Sequence, residues 1–359
     1  MQDKIKKLLD ENKIDALFVT NPVNIFYLTG FKGVSPTERE SLLVIYKDKK
    51  ILITARLYGA EASGLSSDNL IVKIAAERNE YEGFIKESLQ VGLPTEAILK
   101  VGFEATNLTF AEYKKYKKFT TGKFLPTKNL IEKLRVIKTN NEIAKIKKAQ
   151  LITQAAFKQI LKTIKIGQTE AEIAEKLKSI TWHFTHQSQA FEPIVASGPN
   201  SALPHYKTGK RKIKKGDTLL FDFGAKLQDY CADFSRTVFI GKASSAQEKT
   251  YDLVQKAQTI AISKIKNKIS AKKVFEASHQ VFKKESLDSH FIHSLGHGIG
   301  LEVHESPSLS AKSKDILQNN MVFSVEPGLY FPWGGIRIED LIILENGKPR
   351  LIGKKIRFP

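Results

Sequence analysis

The first residues place Ile5, Leu8 and Leu9 among charged neighbours, the three- and four-residue spacing of one helical face, and predict an amphipathic helix over 1–12. Short apolar runs follow. Residues 16–20 read as a buried strand, and 42–46 and 51–54 as paired strands around the charged turn Lys47-Asp48-Lys49-Lys50. Further strands are predicted at 69–74 and 98–103, with helices near 80–90 and 109–118, the latter opened by a Thr109/Glu112 capping box. Alternating helix and strand predicts a sheet flanked by helices, a smaller α/β domain over 1–130. No catalytic cluster stands out in it.

Pro126, a short helical stretch and then Thr139-Asn140-Asn141-Glu142, again with capping-box spacing, mark a boundary near 127–140. A long helical pattern runs to about 164. Gly167 ends it, and Thr169 with Glu172 opens another. Beyond 190 the pattern changes to strands at 192–197, 218–223, 230–240, 321–331 and 335–344. Helices lie between them at 246–268, opened by Ser245 and Glu248, and at 271–285. Residues 138–359 therefore read as a second, α+β domain.

A length of 359 residues agrees with two domains. No apolar run approaches the ~18 residues of a membrane span. The N-terminus lacks the apolar stretch of a signal peptide, so the expectation is a soluble, cytoplasmic protein with no membrane partner. The single cysteine, Cys231, excludes an intrachain disulfide framework and a thiolate-rich zinc site, and reads as small core packing. A net charge of +19 raises nucleic-acid binding, but only nine of the 57 basic residues are Arg, and the lysines are scattered through helices and turns. A solvated surface is expected, with no nucleic-acid partner.

The chemistry enters as an anomaly. Ionisable side chains interrupt apolar strands: Asp222 in Leu219-Leu220-Phe221-Asp222-Phe223, Asp233 in Cys231-Ala232-Asp233-Phe234, Glu326 in Phe323-Ser324-Val325-Glu326, and Glu339 in Arg337-Ile338-Glu339-Asp340-Leu341. Buried carboxylates are costly unless cations or hydrogen bonds compensate them. Each alone pairs more readily with Arg or Lys than with a metal, and Arg337 is at hand for Glu326 or Glu339. Four together, with His297 in the glycine-rich Gly296-His297-Gly298-Ile299-Gly300, suit two divalent cations. The donor set favours Mn or Co and admits Zn or Fe. A hairpin turning at 226–229 would bring Asp222 and Asp233 side by side.

At these residues the chain resembles the metallopeptidase family with the pita-bread fold, which includes aminopeptidase P, prolidase and methionine aminopeptidase. The matching stretches are Asp222-Phe223-Gly224-Ala225, Ala232-Asp233-Phe234-Ser235-Arg236-Thr237, His293 to Gly300 with Val303-His304-Glu305, Glu326-Pro327-Gly328-Leu329-Tyr330, and Arg337-Ile338-Glu339-Asp340. Residues 14–31 resemble the smaller domain of its proline-specific members. The resemblance implies a pita-bread (creatinase/aminopeptidase) catalytic domain behind a creatinase-like domain, and Xaa-Pro aminopeptidase or dipeptidase activity. It further implies that Asp222 holds one metal, Asp233 and Glu339 bridge two, and His297 with Glu326 completes the second. A water between the metals would be the nucleophile, with Glu326 as its base. His205, His293 and His304 match the substrate-site histidines, His205 and His304 with catalytic roles, and Arg337 and Tyr330 support the ligands. A homo-oligomer, a dimer, is expected on the same ground. Methionine aminopeptidase shares the five ligands, and a non-catalytic interaction protein of this fold is the alternative from another class.

Overall fold

The computed structural model describes residues 1–33, 39–90 and 99–356. They build two compact units, Met1–Leu134 and Arg135–Pro359. Among the described residues no helix is long and apolar enough to cross a membrane.

The first unit runs α1 (Gln2–Glu11), β1 (Ala16–Val19), α2 (Pro22–Thr29), β2 (Ser41–Tyr46), β3 (Lys50–Ala55), α3 (Gly59–Ser63), β4 (Leu70–Ala75), α4 (Arg78–Ser88), β5 (Lys100–Glu104), α5 (Phe110–Lys117) and β6 (Lys123–Thr127). The predicted strand at 98–103 is β5, and residue 98 lies outside the described residues. The strands form one mixed sheet in the order β4-β3-β2-β1-β5-β6. β1 is buried along its whole length because its side chains alternate between two apolar layers. Leu17 and Val19 pack with Leu8 and Leu9 of α1, and Ala16 and Phe18 with Ile85 of α4 and Tyr116 of α5. The pattern left α2 unforeseen, although Asn21 accepts from Val23 N–H at 2.8 Å, Pro22 occupies the first turn and Gly30 closes the helix at φ 80°.

After α6 (Leu130–Val136), the second unit continues with α7 (Asn140–Leu161), α8 (Glu170–Thr185), β7 (Ile194–Ser197), β8 (Thr218–Phe223), β9 (Lys226–Leu227), β10 (Tyr230–Cys231), β11 (Phe234–Phe239), α9 (Ser245–Lys264) and α10 (Ala271–Lys284). It ends in β12 (Gly296–Gly298), β13 (Glu305–Leu309), β14 (Val322–Val325), β15 (Gly328–Phe331), β16 (Gly334–Arg337), β17 (Asp340–Glu345) and β18 (Lys348–Leu351). One sheet is β11-β8-β7, backed by α7 and α8 through Phe157, Leu177, Phe221 and Phe223. A five-stranded sheet, β13-β12-β14-β17-β18, is backed by α9 and α10 through Val254, Phe282, Phe323 and Ile342, and β9 with β10 and β15 with β16 form two-stranded sheets.

The structure departs from two sequence expectations. The cap of α9 is Ser244, not Ser245: Ser244 has extended backbone, and its hydroxyl accepts from Gln247 N–H in a capping box. The strands foreseen at 230–240, 321–331 and 335–344 each break, at Ala232-Asp233, Glu326-Pro327 and Ile338-Glu339. The peptide groups at the breaks find partners outside their own ladders. Glu326 N–H donates to Leu295 O at 2.8 Å, Glu339 N–H to Ser235 O at 3.1 Å, and the Arg236 guanidinium donates to Glu339 O. Pro327 has no N–H to continue a ladder.

Candidate metal centre

Two hairpin strands set the first pair of carboxylates. β8 and β11 pair with Asp222 opposite Ser235, which puts Asp233 on the same-face diagonal, and the two carboxyl groups meet there as the hairpin reading expects. The register follows from the turn. Lys226 and Leu227 are already paired with Cys231 and Tyr230, leaving a two-residue turn at Gln228 and Asp229, with φ 49° and 70°. Gly224 is required beside it, because a Cβ there would lie 1.8 Å from Ala232 O.

The other ligand candidates come from the second sheet. His297 lies on β12, its backbone N–H donating to Ser324 Oγ at 3.0 Å, and that hydroxyl donates to Glu326 Oε1 at 3.0 Å. His297 Nε2 stands 3.2 Å from Glu326 Oε1 and 3.7 Å from Asp233 Oδ2. Ser235 Oγ donates to Glu339 Oε2 at 2.9 Å and accepts from Arg337 Nε at 2.9 Å. Arg337 pairs with Asp222, and not with Glu326 or Glu339 as the sequence allowed. The reason is the fork of its guanidinium: Tyr330 Oη, 3.0 Å from Nη1, and Ser235 hold it facing β8.

His205, His293 and His304 line the same cavity of about 380 Å³ as the five. His293 Nε2 is 2.8 Å from Tyr330 Oη, and the His304 ring meets the His297 ring edge-on at 4.3 Å. His205 follows a 3₁₀ turn (Gly198–Ala202) whose anchor is the buried Glu170 carboxylate. Glu170 accepts from Ser197 N–H at 2.7 Å, Asn200 Nδ2 at 3.0 Å and Tyr206 Oη at 2.9 Å.

Crowding these groups together perturbs their ionisation. Burial, then the charges of Glu339, Asp222 and Glu326, pushes the Asp233 carboxyl well up. Burial and the charges of Glu326 and Asp222 do the same to Glu339. Burial also raises Asp222, although Arg337 opposes it. For Glu326 burial is outweighed by the hydrogen bond and charge of His297, which hold it low. Burial lowers His293, and burial with the nearby His297 charge lowers His304. Without a cation, the crowding of Asp222, Asp233 and Glu339 favours their neutral forms.

Comparison with known proteins decides the family. Residues 144–346 match the model of metallopeptidase family M24, and residues 2–137 that of the creatinase/prolidase N-terminal domain. The chain belongs to metallopeptidase family M24. It is 34% identical to the uncharacterised peptidase YqhT of Bacillus subtilis over 96% of this chain and 95% of that one. It is also 34% identical to a Xaa-Pro dipeptidase of Pyrococcus furiosus, over 97% and 96%. The structure of a Xaa-Pro dipeptidase from Bacillus anthracis superposes with a TM-score of 0.91 at 33% identity, covering 99% and 98%. The fold is accordingly a creatinase-type α/β domain followed by the M24 pita-bread domain.

M24 membership implies divalent metal ions, and the residues fit them. Asp233, His297 and Glu339 offer donor atoms within 4.8 Å of one another. Asp233 Oδ1 and Glu339 Oε1 are buried with no hydrogen-bond partner, an expensive arrangement that a cation would relieve.

Several residues that shape this M24 site escaped sequence reading. Ser235 and Ser324 each sit two positions from a carboxylate on the same strand face, a period-two signal that was available. Gln258 on α9 donates to Val325 O at 3.1 Å, Ile338 O at 3.2 Å and Asp340 Oδ2 at 3.1 Å, tying the segments that carry Glu326 and Glu339. Nothing local in its helix marks it. Phe191, Ile194 and Val303 give the cavity an apolar wall.

Proposed function

We propose that this M24 peptidase hydrolyses the bond between an N-terminal residue and a following proline. The observation that carries the reading is the convergence of the five ligand candidates and three histidines on one cavity, with Phe191, Ile194, Pro204 and Val303 as an apolar wall fit for a pyrrolidine ring. Asp222 would hold one cation, Asp233 and Glu339 both, and His297 with Glu326 the other. Such cations, when bound, supply Lewis acidity that acidifies a water and polarises a carbonyl.

The chain's own groups do the rest. Glu326, steadied by Ser324, accepts the proton that water loses as its oxygen adds to the scissile carbonyl carbon. Breaking the C–N bond returns a proton to the proline nitrogen, and His304, beside His297 in the cavity, is suited to relay it or to hydrogen-bond the oxyanion. Arg337 and Tyr330 orient Asp222 and His293. His205 and His293 flank the substrate. The unpartnered oxygens of Asp233 and Glu339 argue against a fold kept only for interaction, and the creatinase-type N-terminal domain favours proline over methionine specificity.

The test is hydrolysis of an Xaa-Pro dipeptide, an Xaa-Pro tripeptide and a Met-Ala peptide, after chelation and reconstitution with Mn, Co or Zn. Metal-dependent cleavage of the Xaa-Pro bond is expected, and the dipeptide-to-tripeptide ratio separates dipeptidase from aminopeptidase. Preference for the Met-Ala peptide, or undiminished cleavage with metal content at zero, would overturn the reading.

A further inference from the structure

Directly after His304 comes Glu305, the first residue of β13, with a side chain only 6% exposed. Its carboxylate is ringed by donors. Lys138 Nζ lies 2.6 Å from Oε2, Glu302 N–H lies 3.2 Å from Oε1, and Arg135 Nη2 donates to Oε1. Arg135 Nη2 also reaches Glu302 Oε2 at 2.8 Å, and Lys138 Nζ donates to Arg135 O at 2.5 Å. Both cations are buried at 2% exposure. The Lys138 backbone N–H is tied to Asn320 O at 2.9 Å, so the cluster is fixed at its base.

The turn that carries His304 is wrapped on this carboxylate. Gly300 N–H donates to Glu302 O at 3.0 Å, and a Cβ on Gly300 would fall 2.7 Å from Glu305 Oε2, so a larger residue there would have to displace the carboxylate that Arg135 and Lys138 hold. On its outer side Gly300 O accepts from Cys231 N–H at 2.8 Å. The regular ladder gives little help, since the β12/β13 register shifts between His297 and Gly298. Directional, charge-assisted bonds to Glu305 therefore carry the placement of residues 300–305. Apolar packing of equal volume often stabilises as well as a buried ion cluster does, but it lacks the directional bonds that fix orientation here.

We propose that Arg135, Lys138 and Glu305 are positioning residues: together they set the 300–305 turn and, through it, where the His304 imidazole points in the cavity. None of the three is among the residues that line the cavity. The proposal rests on the peptidase reading for His304's part in turnover, but the placement itself can be read without turnover.

The experiment compares Glu305→Gln, Arg135→Gln and Arg135→Lys, each alone and combined with His304→Ala. Per folded, metal-loaded molecule, Glu305→Gln and Arg135→Gln should lower kcat by roughly ten- to a hundredfold with KM within a few-fold, the scale of a small misplacement of a catalytic group. Arg135→Lys, which keeps the charge, should recover most of that loss. In the His304→Ala background the same substitutions should change kcat no further. In metal-free protein the His304 ring C–H signal, assigned by its absence in His304→Ala, should shift or broaden in Glu305→Gln while those of His183 and His186 stay in place. An unmoved His304 signal, or losses in kcat that add fully to that of His304→Ala, would overturn the proposal. So would a fall in melting temperature with kcat per folded molecule unchanged. If Glu305→Gln does not fold, the two Arg135 variants carry both measurements. Failure of wild type on every Xaa-Pro substrate would instead remove the proposed function and leave the ring-signal result standing.

Discussion

Glu326 is held from two sides, by the Ser324 hydroxyl at 3.0 Å and by His297 Nε2 at 3.2 Å, both on its Oε1. An oxygen so engaged is oriented, and the proposed chemistry asks the same carboxylate both to hold a cation and to accept a proton. Glu326→Gln keeps the size and one ligating oxygen but cannot take that proton at neutral pH. Metal affinity should fall partially, while kcat per metal-loaded folded molecule falls by roughly 10² to 10⁴, the usual contribution of general-base catalysis. A kcat within a few-fold of wild type would exclude Glu326 as the base. Residue chemistry was the most legible level in the sequence. A single acid inside an apolar strand points no further than an ion pair, but Asp222, Asp233, Glu326 and Glu339 together with His297 point to cations, and the fold gathers all five on one cavity. Their supports were fainter: period-two spacing puts Ser235 and Ser324 on the faces of Asp233 and Glu326, but only the fold sets Ser235 against Glu339.

At the scale of elements, helices announced themselves through their ends. Thr109/Glu112, Thr139/Glu142 and Thr169/Glu172 all form the capping boxes that the spacing predicts. Strands were legible as apolar runs, yet their breaks were not, because Glu339 leaves its ladder for a partner, Ser235, that lies more than a hundred residues away in sequence. β12 escaped for a related reason. Three residues rich in glycine show no alternation, and β12 exists only because β13 and β14 flank it. Close approach between strands also yields a prediction. At Gly224 an added methyl would lie 1.8 Å from the Ala232 carbonyl, a backbone group that cannot swing away. Gly224→Ala should force β8 and β11 apart, lowering the melting temperature and displacing Asp222 from Asp233, so that metal stoichiometry also falls. Wild-type metal content in that variant would show that the hairpin spacing does not set the carboxylate pair.

For the molecule as a whole, stability depends on two clusters of buried charge that respond to different variables. Glu305 responds to pH. Burial pushes its carboxyl up, but the charges and hydrogen bonds of Lys138 and Arg135 outweigh this and leave it below the usual range. A lowered folded-state pKa gives stability that is fully present above the unfolded value, about 4.3, and lost as pH falls through the folded value. Glu305→Gln should therefore be less stable than wild type near neutrality, and the difference should shrink on acidification. A gap that stays constant with pH, measured by denaturant unfolding, would refute this. The ligand carboxylates respond instead to metal. Asp233 and Glu339 each leave a buried oxygen without a partner, and a cation that binds only the folded chain stabilises it by about 2.7 kcal/mol at a hundredfold excess over Kd. For a unit of the size of Arg135–Pro359, melting points move about 2–4 °C per kcal/mol, so loading should raise the melting temperature by roughly 5–11 °C. Glu339→Gln should lose most of that gain, because the amide carries no charge for the cation to neutralise. Differential scanning of chelated protein titrated with Mn, Co and Zn reads both, and an unmoved transition with all three ions would mean that the orphaned oxygens are not a metal site.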